Sequence, residues 1–380
     1  MELVLNEEQT MLAQTVKNFI TDNSPINRMR QLRDDKDMLG YSKDIWKQMA
    51  DLGWTAILFS EADGGLELGM AETVLVTEEM GRNLAPEPYI SSIVLAGQAL
   101  AKGGSKELRE QWLGSVIAGD AVLTVAYQEK GGRYDITKIK TTAAKTADGY
   151  VINGEKVQVT DGYGADAMIV SARTSGNDGD ADGITLFLVP RDAAGMTVTR
   201  QWRLDSRNVA LVAFKDVKVS EANIVGTVDK GGQLLGQVID LATVALCGEM
   251  LGGMNFAFNH MLAYMKERVQ FNVPIGSFQA LKHRAAKMYM EVELSRSVVM
   301  AAARAVDEEN AGKELFISTA KARCSDAYIA VTNEAVQILG GNGMTDEENI
   351  GFYMKRARVA EMTFGDATYH KDRFATLKGY

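Results

Sequence analysis

The spacing of apolar residues changes twice along the 380-residue chain, and this double change limits the possible folds most strongly. Residues 1–120 carry apolar side chains at helical spacing, beginning with the stretch from Leu5 to Ile20, where Asn6 is a suitable helix cap. Residues 121–225 contain short β-branched runs separated by turn dipeptides, and helical spacing returns from residue 226 to the end.

This order predicts a mainly α protein with a β insert, arranged as three domains. A helical domain is expected over residues 1–120, a small antiparallel β domain over 121–225 and a bundle of four helices over 226–380. Asp148-Gly149, Asn153-Gly154 and Asp161-Gly162 are hairpin signals within the β domain. The bundle helices are expected near residues 231–268, 277–308, 315–339 and 346–377.

Composition excludes several classes of protein. The formal net charge of -9 disfavours nucleic-acid binding, which needs a basic surface. The first residues lack the cationic start of a signal peptide, and we expect no membrane-spanning segment and a cytoplasmic location. Cys247 and Cys324 lie in apolar runs without a CxxC spacing, which predicts two buried, reduced cysteines and no metal site.

Five stretches of sequence carry a resemblance to a known family. "RVQFNVPIGSFQALKHRAAKM" (268–288), "AVQILGGNGMTDE" (335–347) and "TADGYVINGEKVQVTDGYGADAMIVSART" (146–174) resemble the acyl-CoA dehydrogenases. The likeness covers nearly the whole chain. Within that family it is closest to the small subunit of pimeloyl-CoA-type dehydrogenases, through "ALCGEMLGGM" (245–254) and "FGDATYH" (364–370).

The resemblance implies a fold, a reaction and a set of partners. The fold would have an N-terminal helical domain, a middle antiparallel β-barrel domain and a C-terminal four-helix bundle. The reaction would be α,β-dehydrogenation of an acyl-CoA thioester, with FAD as hydride acceptor. FAD would lie between two subunits of a dimer or tetramer, and the electrons would pass to an electron-transfer flavoprotein.

Several residue types suit such a cofactor on chemical grounds. Arg268 offers a forked set of donors for phosphate oxygens, and glycines let a backbone approach a ligand closely. The candidates of this kind are Arg268, Gln270, Phe271, Gln279, Gln337, Gly340, Gly341 and Gly343. The resemblance adds Gln128, Thr160, Asp366 and Thr368 on the flavin side. It also places Tyr134 near the thioester. Arg133 stands in place of a family Gly and is either a contact for a distal substrate carboxylate or a surface charge.

The expected catalytic base is missing from this sequence. An acyl-CoA dehydrogenase removes a weakly acidic α-proton with a carboxylate, which in the family is the Glu of an "EGT" turn. Here the matching triplet is Phe364-Gly365-Asp366, and a second family position for the base matches Ala242. Neither Phe nor Ala can accept a proton. The backbone N–H of Phe364 can still donate a hydrogen bond to the thioester carbonyl.

Three side chains are candidates to replace the base. Glu249 lies seven residues, or two helical turns, beyond Ala242 and in an apolar stretch, so it should be functional or partnered by an arginine. Asp366 is the second candidate. His370 is the third, as an acid–base group or a contact for a dicarboxylate, although a histidine near a helix start is typically a structural hydrogen bonder.

Three interpretations remain open from the sequence. The chain is a subunit of a heteromeric dehydrogenase whose large subunit supplies the glutamate, or a self-sufficient homo-oligomer that uses Glu249. Alternatively it is a non-oxidising relative, either a flavin lyase or a non-catalytic assembly subunit of the same fold. Gln158, at the position of the family's flavin-stacking Trp, indicates an altered flavin pocket in this chain.

Overall fold

The computed structural model describes residues 4–380, which form two compact units. The first unit contains residues up to Gln31 together with Met70–Ala85 and Thr243–Tyr380. The second unit contains Leu32–Gly69 and Pro86–Ala242. The N-terminal helical segments are thus divided between the two units.

Six α-helices occur between residues 4 and 120. They are α1 (Glu7–Asn23), α2 (Ile26–Asp34), α3 (Lys43–Asp51), α4 (Met70–Asn83), α5 (Gln98–Gly103) and α6 (Lys106–Ile117). The predicted cap of α1 is confirmed, because the Asn6 side chain accepts a hydrogen bond from the N–H of Gln9 at 2.8 Å. A nine-residue π-helix, Tyr89–Gly97, leads directly into α5.

The β segment forms one mixed sheet in the second unit. Its strands are β1 (Leu123–Ala126), β2 (Thr142–Thr146), β3 (Gly149–Thr160), β4 (Ala167–Arg173), β5 (Ile184–Pro190), β6 (Met196–Trp202), β7 (Asn208–Val219) and β8 (Ile224–Val225). Their order is β6-β7-β3-β2-β4-β5-β8, and β1 pairs with β4.

Two features of this sheet correct the predicted antiparallel barrel. The terminal strands β6 and β8 do not pair with each other, so the sheet is open. In addition, β1 and β2 both run parallel to β4. A parallel pair needs a long connection, and residues 127–166, between β1 and β4, supply one.

Only one of the three predicted hairpin signals produces a hairpin. β2 and β3 pair up to Thr146 and Gly149, on either side of Asp148. Asn153-Gly154 instead lies inside β3, at a shift of register against β7. The Asp161-Gly162 turn follows β3 and leads to β4, which does not pair with β3.

The C-terminal segment consists of five helices and a two-stranded hairpin. They are α7 (Gly231–Glu267), β9 (Val269–Gln270), β10 (Val273–Pro274), α8 (Gln279–Asp307), α9 (Lys313–Leu339), α10 (Ile350–Met362) and α11 (Ala367–Lys378). The predicted fourth bundle helix is therefore two helices. Phe364 and Gly365 have φ angles of 58° and 108°, which no α-helix can include. Within the first unit α9 packs against α8, α10 and α11.

Glycines allow α4 and α7 to pack backbone to backbone in the first unit. A Cβ atom at Gly81 would overlap the carbonyl oxygen of Glu249, and one at Gly252 would overlap that of Glu78. Glu78 itself accepts hydrogen bonds from both terminal nitrogens of Arg296 at 3.0 Å. The crossing of α4 and α7 therefore excludes water from a region that contains buried charges.

Helix α7 is also the one helix of the described residues that is long and apolar enough to cross a membrane. This differs from the expectation that no such segment exists. However, 67% of its most apolar 18-residue window is buried in the protein. A single helix of this kind is weak evidence for a membrane, since a buried core helix has the same composition.

Candidate functional site

A cleft of about 340 Å³ lies beside the C-terminal end of α9 in the first unit. Its lining combines side-chain amides, thioethers and open backbone: Asn333, Val336, Gln337, Gly340, Gly341, Met344 and Met354. A Cβ atom at Gly340 or Gly341 would have no neighbour within 4 Å, and the φ angle of Gly340 is 63°. The backbone at these two glycines is thus accessible to a ligand.

Gly343 has a different role from its two neighbours. A Cβ atom there would lie 2.8 Å from the carbonyl oxygen of Val336, so this glycine packs against α9 rather than facing the cleft. Of the predicted cofactor residues, the structure therefore brings Gln337, Gly340 and Gly341 together on the cleft.

The hairpin of β9 and β10 presents a second group of predicted cofactor residues. Its turn residues, Phe271 and Asn272, have φ angles of 53° and 64°, as in a type I′ turn. The Phe271 side chain is 86% exposed and meets the Phe278 ring edge-on, with centroids 6.0 Å apart. Arg268 and Gln270 are also exposed on this segment, and Gln279 is the first residue of α8.

These residues fit the chemistry of a flavin dinucleotide. A pyrophosphate needs forked or backbone donors, and the planar rings need apolar surfaces with neutral hydrogen-bonding groups. The exposed Arg268, the amides of Gln270 and Gln337, and the open glycine backbone provide such groups. Over residues 4–380, no cluster of three or more His, Cys, Asp or Glu side chains is placed to hold a metal ion.

In the second unit, the long connection from β1 to β2 carries Gln128, Arg133 and Tyr134. Glu129 anchors it, because its carboxylate accepts hydrogen bonds from Lys156 Nζ at 2.7 Å and from the N–H groups of Lys140 and Thr141 at 2.7 and 3.0 Å. Burial lowers the pKa of Lys156 to about 8, although Glu129 opposes this. Burial raises the pKa of Glu129, but the charge of Lys156 and the hydrogen bonds from Lys156, Thr141 and Lys140 together outweigh it, so this pKa is lowered.

The predicted substrate contacts in this connection have neighbours within the chain. The guanidinium of Arg133 lies 5.6 Å from the centre of the Tyr134 ring, in a cation–π contact. The Gln128 carbonyl accepts from the N–H of Val157 at 2.8 Å. Thr160, the last residue of β3, accepts from Thr124 Oγ1 through its carbonyl oxygen at 2.7 Å. Gln158 has a φ angle of 52° at a bulge in β3.

The turn between α10 and α11 contains the position of the missing base. The Phe364 carbonyl oxygen lies 3.0 Å from His370 Nε2, and the Gly365 carbonyl lies 2.6 Å from Lys321 Nζ. Asp366 caps α11 by accepting from the N–H of Tyr369 at 2.8 Å, and Thr368 lies exposed in the first turn of that helix. Within the described chain the N–H of Phe364 donates to no acceptor.

Each candidate for the replacement base has a structural partner. Glu249 is 6% exposed, and its Oε1 accepts a hydrogen bond from Arg356 Nε at 2.6 Å. Of the two roles expected for Glu249, catalysis or pairing with an arginine, the structure therefore shows the pairing. Asp366 is a helix cap. Burial, and then the charge of Lys321, lower the pKa of His370 to about 3, so His370 is neutral near neutral pH.

Two functional neighbours were not found from the sequence. Arg356 could not be paired with Glu249, because the two residues are 107 positions apart. Lys321 carried a usable signal, since it lies at helical spacing with the buried Ile317, Cys324 and Tyr328. A lysine on an apolar helix face requires a partner.

Comparison with known proteins places the chain in a family. Models of the acyl-CoA dehydrogenase N-terminal, middle and C-terminal domains match residues 6–120, 124–217 and 229–376. The mitochondrial isovaleryl-CoA dehydrogenase of Pongo abelii is 31% identical over 373 residues, which are 95% of this chain and 86% of the relative.

Two solved structures have the same fold over almost the full length. A chain of the ChsE4-ChsE5 complex from Mycobacterium tuberculosis matches with a TM-score of 0.89 at 29% identity, covering 100% of this chain and 99% of that one. A variant of the Tcur3481-Tcur3483 steroid ACAD matches with a TM-score of 0.87 at 28% identity, covering 98% of both chains. The chain therefore belongs to the acyl-CoA dehydrogenase family, whose members are FAD-dependent oxidoreductases acting on acyl-CoA thioesters.

Proposed function

We propose that this chain is one subunit of a heteromeric FAD-dependent acyl-CoA dehydrogenase. A partner chain of the same fold supplies the carboxylate that removes the α-proton of the substrate. One observation carries the proposal: the base position is Phe364, while the first candidate to replace the base, Glu249, is buried against Arg356. The similarity to chains of the ChsE4-ChsE5 complex and of Tcur3481-Tcur3483 supports it, because each of these names joins two proteins.

In this proposal the chain holds part of the cofactor. Arg268 and the backbone of Gly340 and Gly341 meet the pyrophosphate, while polar side chains and Phe271 meet the rings. The side chains with such roles are Gln270, Gln279, Gln337, Gln128, Thr160, Asp366 and Thr368. FAD, when bound, accepts the hydride that leaves the β-carbon of the substrate. The N–H of Phe364 donates to the thioester carbonyl, where negative charge develops as the α-proton leaves.

The finer assignment concerns the substrate and the electron acceptor. We assign the chain to the small subunits of pimeloyl-CoA-type dehydrogenases, acting in the cytoplasm on a dicarboxylyl-CoA or another bulky acyl-CoA. Tyr134 lies near the thioester, and Arg133 meets a distal carboxylate. An electron-transfer flavoprotein removes the electrons.

The proposal is tested by anaerobic flavin bleaching. The full-length chain, purified alone with FAD added, should not lose its flavin absorbance when pimeloyl-CoA or isovaleryl-CoA is added. The same chain co-purified with its partner should be bleached. Replacing the glutamate of the partner by glutamine should abolish bleaching, whereas Glu249→Gln in this chain should leave it intact.

Other outcomes would select another function. Bleaching of the chain alone, lost in Glu249→Gln with retained flavin, would show a self-sufficient homo-oligomer. Product release without bleaching would show a lyase. A complex that shows neither reaction would leave an assembly role.

A further inference from the structure

The turn that carries Phe364 is held by a lysine buried in a different helix. Lys321, in α9, has an exposed fraction of 0%, and its Nζ has three hydrogen-bond acceptors. These are the carbonyl oxygens of Gly365 at 2.6 Å and Glu361 at 2.8 Å, and Ser325 Oγ at 3.0 Å. All three donors of the ammonium are thus used. Two of them bind carbonyl groups at the end of α10 and in the break between α10 and α11.

A second buried side chain reaches the same turn from α11. His370 is 1% exposed, and its Nε2 lies 3.0 Å from the Phe364 carbonyl oxygen. Because a carbonyl oxygen only accepts hydrogen bonds, the Nε2–H of the neutral imidazole is the donor. Consecutive carbonyl groups of the turn are therefore bound, one by His370 and one by Lys321.

This arrangement fixes an unusual backbone conformation. Phe364 adopts a φ angle of 58°, which a side chain larger than glycine rarely adopts without support from its surroundings. With its carbonyl bound to His370 and the next carbonyl bound to Lys321, the two peptide planes that follow Phe364 cannot rotate freely. Lys321 also binds the Glu361 carbonyl, which precedes Phe364 in the chain. The carbonyl of Phe364 is thus bound, whereas its N–H has no acceptor in the described residues.

An ordinary helix cap would not require this lysine. An exposed lysine can bind the last carbonyl groups of a helix at little cost. Here the whole ammonium is removed from water, and burial lowers the pKa of Lys321 to about 8. Cys247 and Cys324 face it from α7 and α9, Glu361 faces it from the end of α10, and Asp366 faces it from the turn. The burial of the charge has a cost that capping alone does not explain.

We infer that Lys321 is a positioning residue that holds the Phe364 N–H in place as the donor to the thioester carbonyl. Because Lys321 holds this N–H, the chain keeps a binding site for the carbonyl of an acyl-CoA although the chain lacks the base. His370 supports the same turn from α11. The inference rests on the role of the Phe364 N–H in the proposed function.

The test compares two ligands that differ in the carbonyl oxygen. Benzoyl-CoA has a thioester carbonyl and no α-proton, so it cannot be dehydrogenated, and S-benzyl-CoA is the matching thioether. Their Kd values are measured by calorimetry on the FAD-loaded assembly that contains the full-length chain. Lys321→Met keeps the length of the side chain and removes its donors. This substitution should lower the preference for benzoyl-CoA, which is the ratio of the Kd of S-benzyl-CoA to that of benzoyl-CoA, about fivefold. It should leave the Kd of S-benzyl-CoA unchanged.

An infrared measurement separates positioning from general damage. With ¹³C-carbonyl benzoyl-CoA, the isotope-edited spectrum of the wild-type assembly should contain a carbonyl band shifted to lower frequency by the hydrogen bond. That shift should shrink in Lys321→Met. Ser325→Ala is the matched control, because it removes one acceptor of Lys321 without touching the turn, and it should preserve both the band and the preference.

The remaining outcomes overturn the inference. Equal weakening of both ligands in Lys321→Met would show a structural role only, and an unchanged preference would show no role. If that variant does not fold, Lys321→Gln, which keeps an amide donor, is judged by the same criteria. A wild-type assembly that does not prefer benzoyl-CoA would refute the role of the Phe364 N–H, and the inference with it. The bleaching experiments would still decide the heteromeric function separately.

Discussion

The buried ion pair between Glu249 and Arg356 offers the sharpest test of the site. We predict that Arg356→Met lowers the free energy of unfolding by about 3–5 kcal/mol, because it removes the cation nearest to a buried carboxylate. The Nε–Oε1 distance is 2.6 Å, and the side chains are only 9% and 7% exposed. The close crossing at Gly81 covers the backbone of Glu249, so water cannot readily replace the guanidinium.

A double-mutant cycle separates this pair from its surroundings. Glu249→Gln alone should also destabilise the protein, while the double variant should lose at least about 1 kcal/mol less than the sum of the single changes. The control is the exposed pair of Lys371 and Asp326, which has a similar distance of 2.8 Å but exposures of 63% and 57%. Lys371→Met should cost less than about 1 kcal/mol.

The assay must report on the correct unit. All four tryptophans, at positions 46, 54, 112 and 202, lie in the second unit, so their fluorescence follows that unit. Urea unfolding should therefore be followed by far-ultraviolet circular dichroism, which reports the long helices of the first unit, with fluorescence recorded in parallel. A loss below about 1 kcal/mol in Arg356→Met, or additive effects in the cycle, would refute the argument that the pair is buried and coupled.

Three further predictions follow from buried groups and close packing. The pKa of His370 is about 3 in the folded chain and 6.5 in the unfolded chain, so stability is fully present above pH 6.5 and falls towards pH 3, by up to ~1.4 kcal/mol per pH unit. His370→Gln should flatten urea midpoints over this range, and an unchanged slope would contradict the prediction. The folded pKa of Lys156 is about 8 against 10.5 unfolded, so the folded chain loses that proton first and stability gains from pH 8 to 10.5. Lys156→Met should lose its share of this gain in alkaline unfolding curves, while the share of Lys321, whose folded pKa is also about 8, remains; an undiminished gain would contradict the prediction. Gly81→Ala should destabilise the first unit by about 1–3 kcal/mol, because a Cβ atom would overlap Glu249. Gly114→Ala, where a Cβ atom meets nothing within 4 Å, should instead stabilise α6 by about 0.5–1 kcal/mol, and equal effects of the two changes in thermal melts would refute the steric argument.

The sequence predicts local structure well where local interactions decide it. The cap at Asn6, the start of the hairpin at Asp148, and the alternation of helical and β segments all follow from neighbours along the chain. Asn153-Gly154 carries the same signal as Asp148-Gly149 but lies inside β3. Strand partners distant in sequence decide that outcome, because β7 pairs along both sides of Gly154.

The break between α10 and α11 shows the same limit. Gly365 is a local signal for a helix end, but the left-handed conformation of Phe364 has no local explanation. It is supported by Lys321, whose hydrogen bond to Gly365 joins residues 44 positions apart. The site predicted from the sequence likewise contained the carboxylate of Glu249, but not Arg356, which binds that carboxylate. Long-range partners of this kind depend on packing, which residue spacing does not contain.

The composition of the first unit also determines when the chain can fold. Its N-terminal pieces, which contain α1 and α4, belong with residues after Thr243. During synthesis these pieces leave the ribosome first and then wait while residues 86–242 are made. The buried face of α4 is exposed for that interval, whereas the second unit can close once Ala242 has emerged. We expect the first unit to form last and to depend on chaperones, and its α4 segment to be the part of a nascent chain most prone to aggregation.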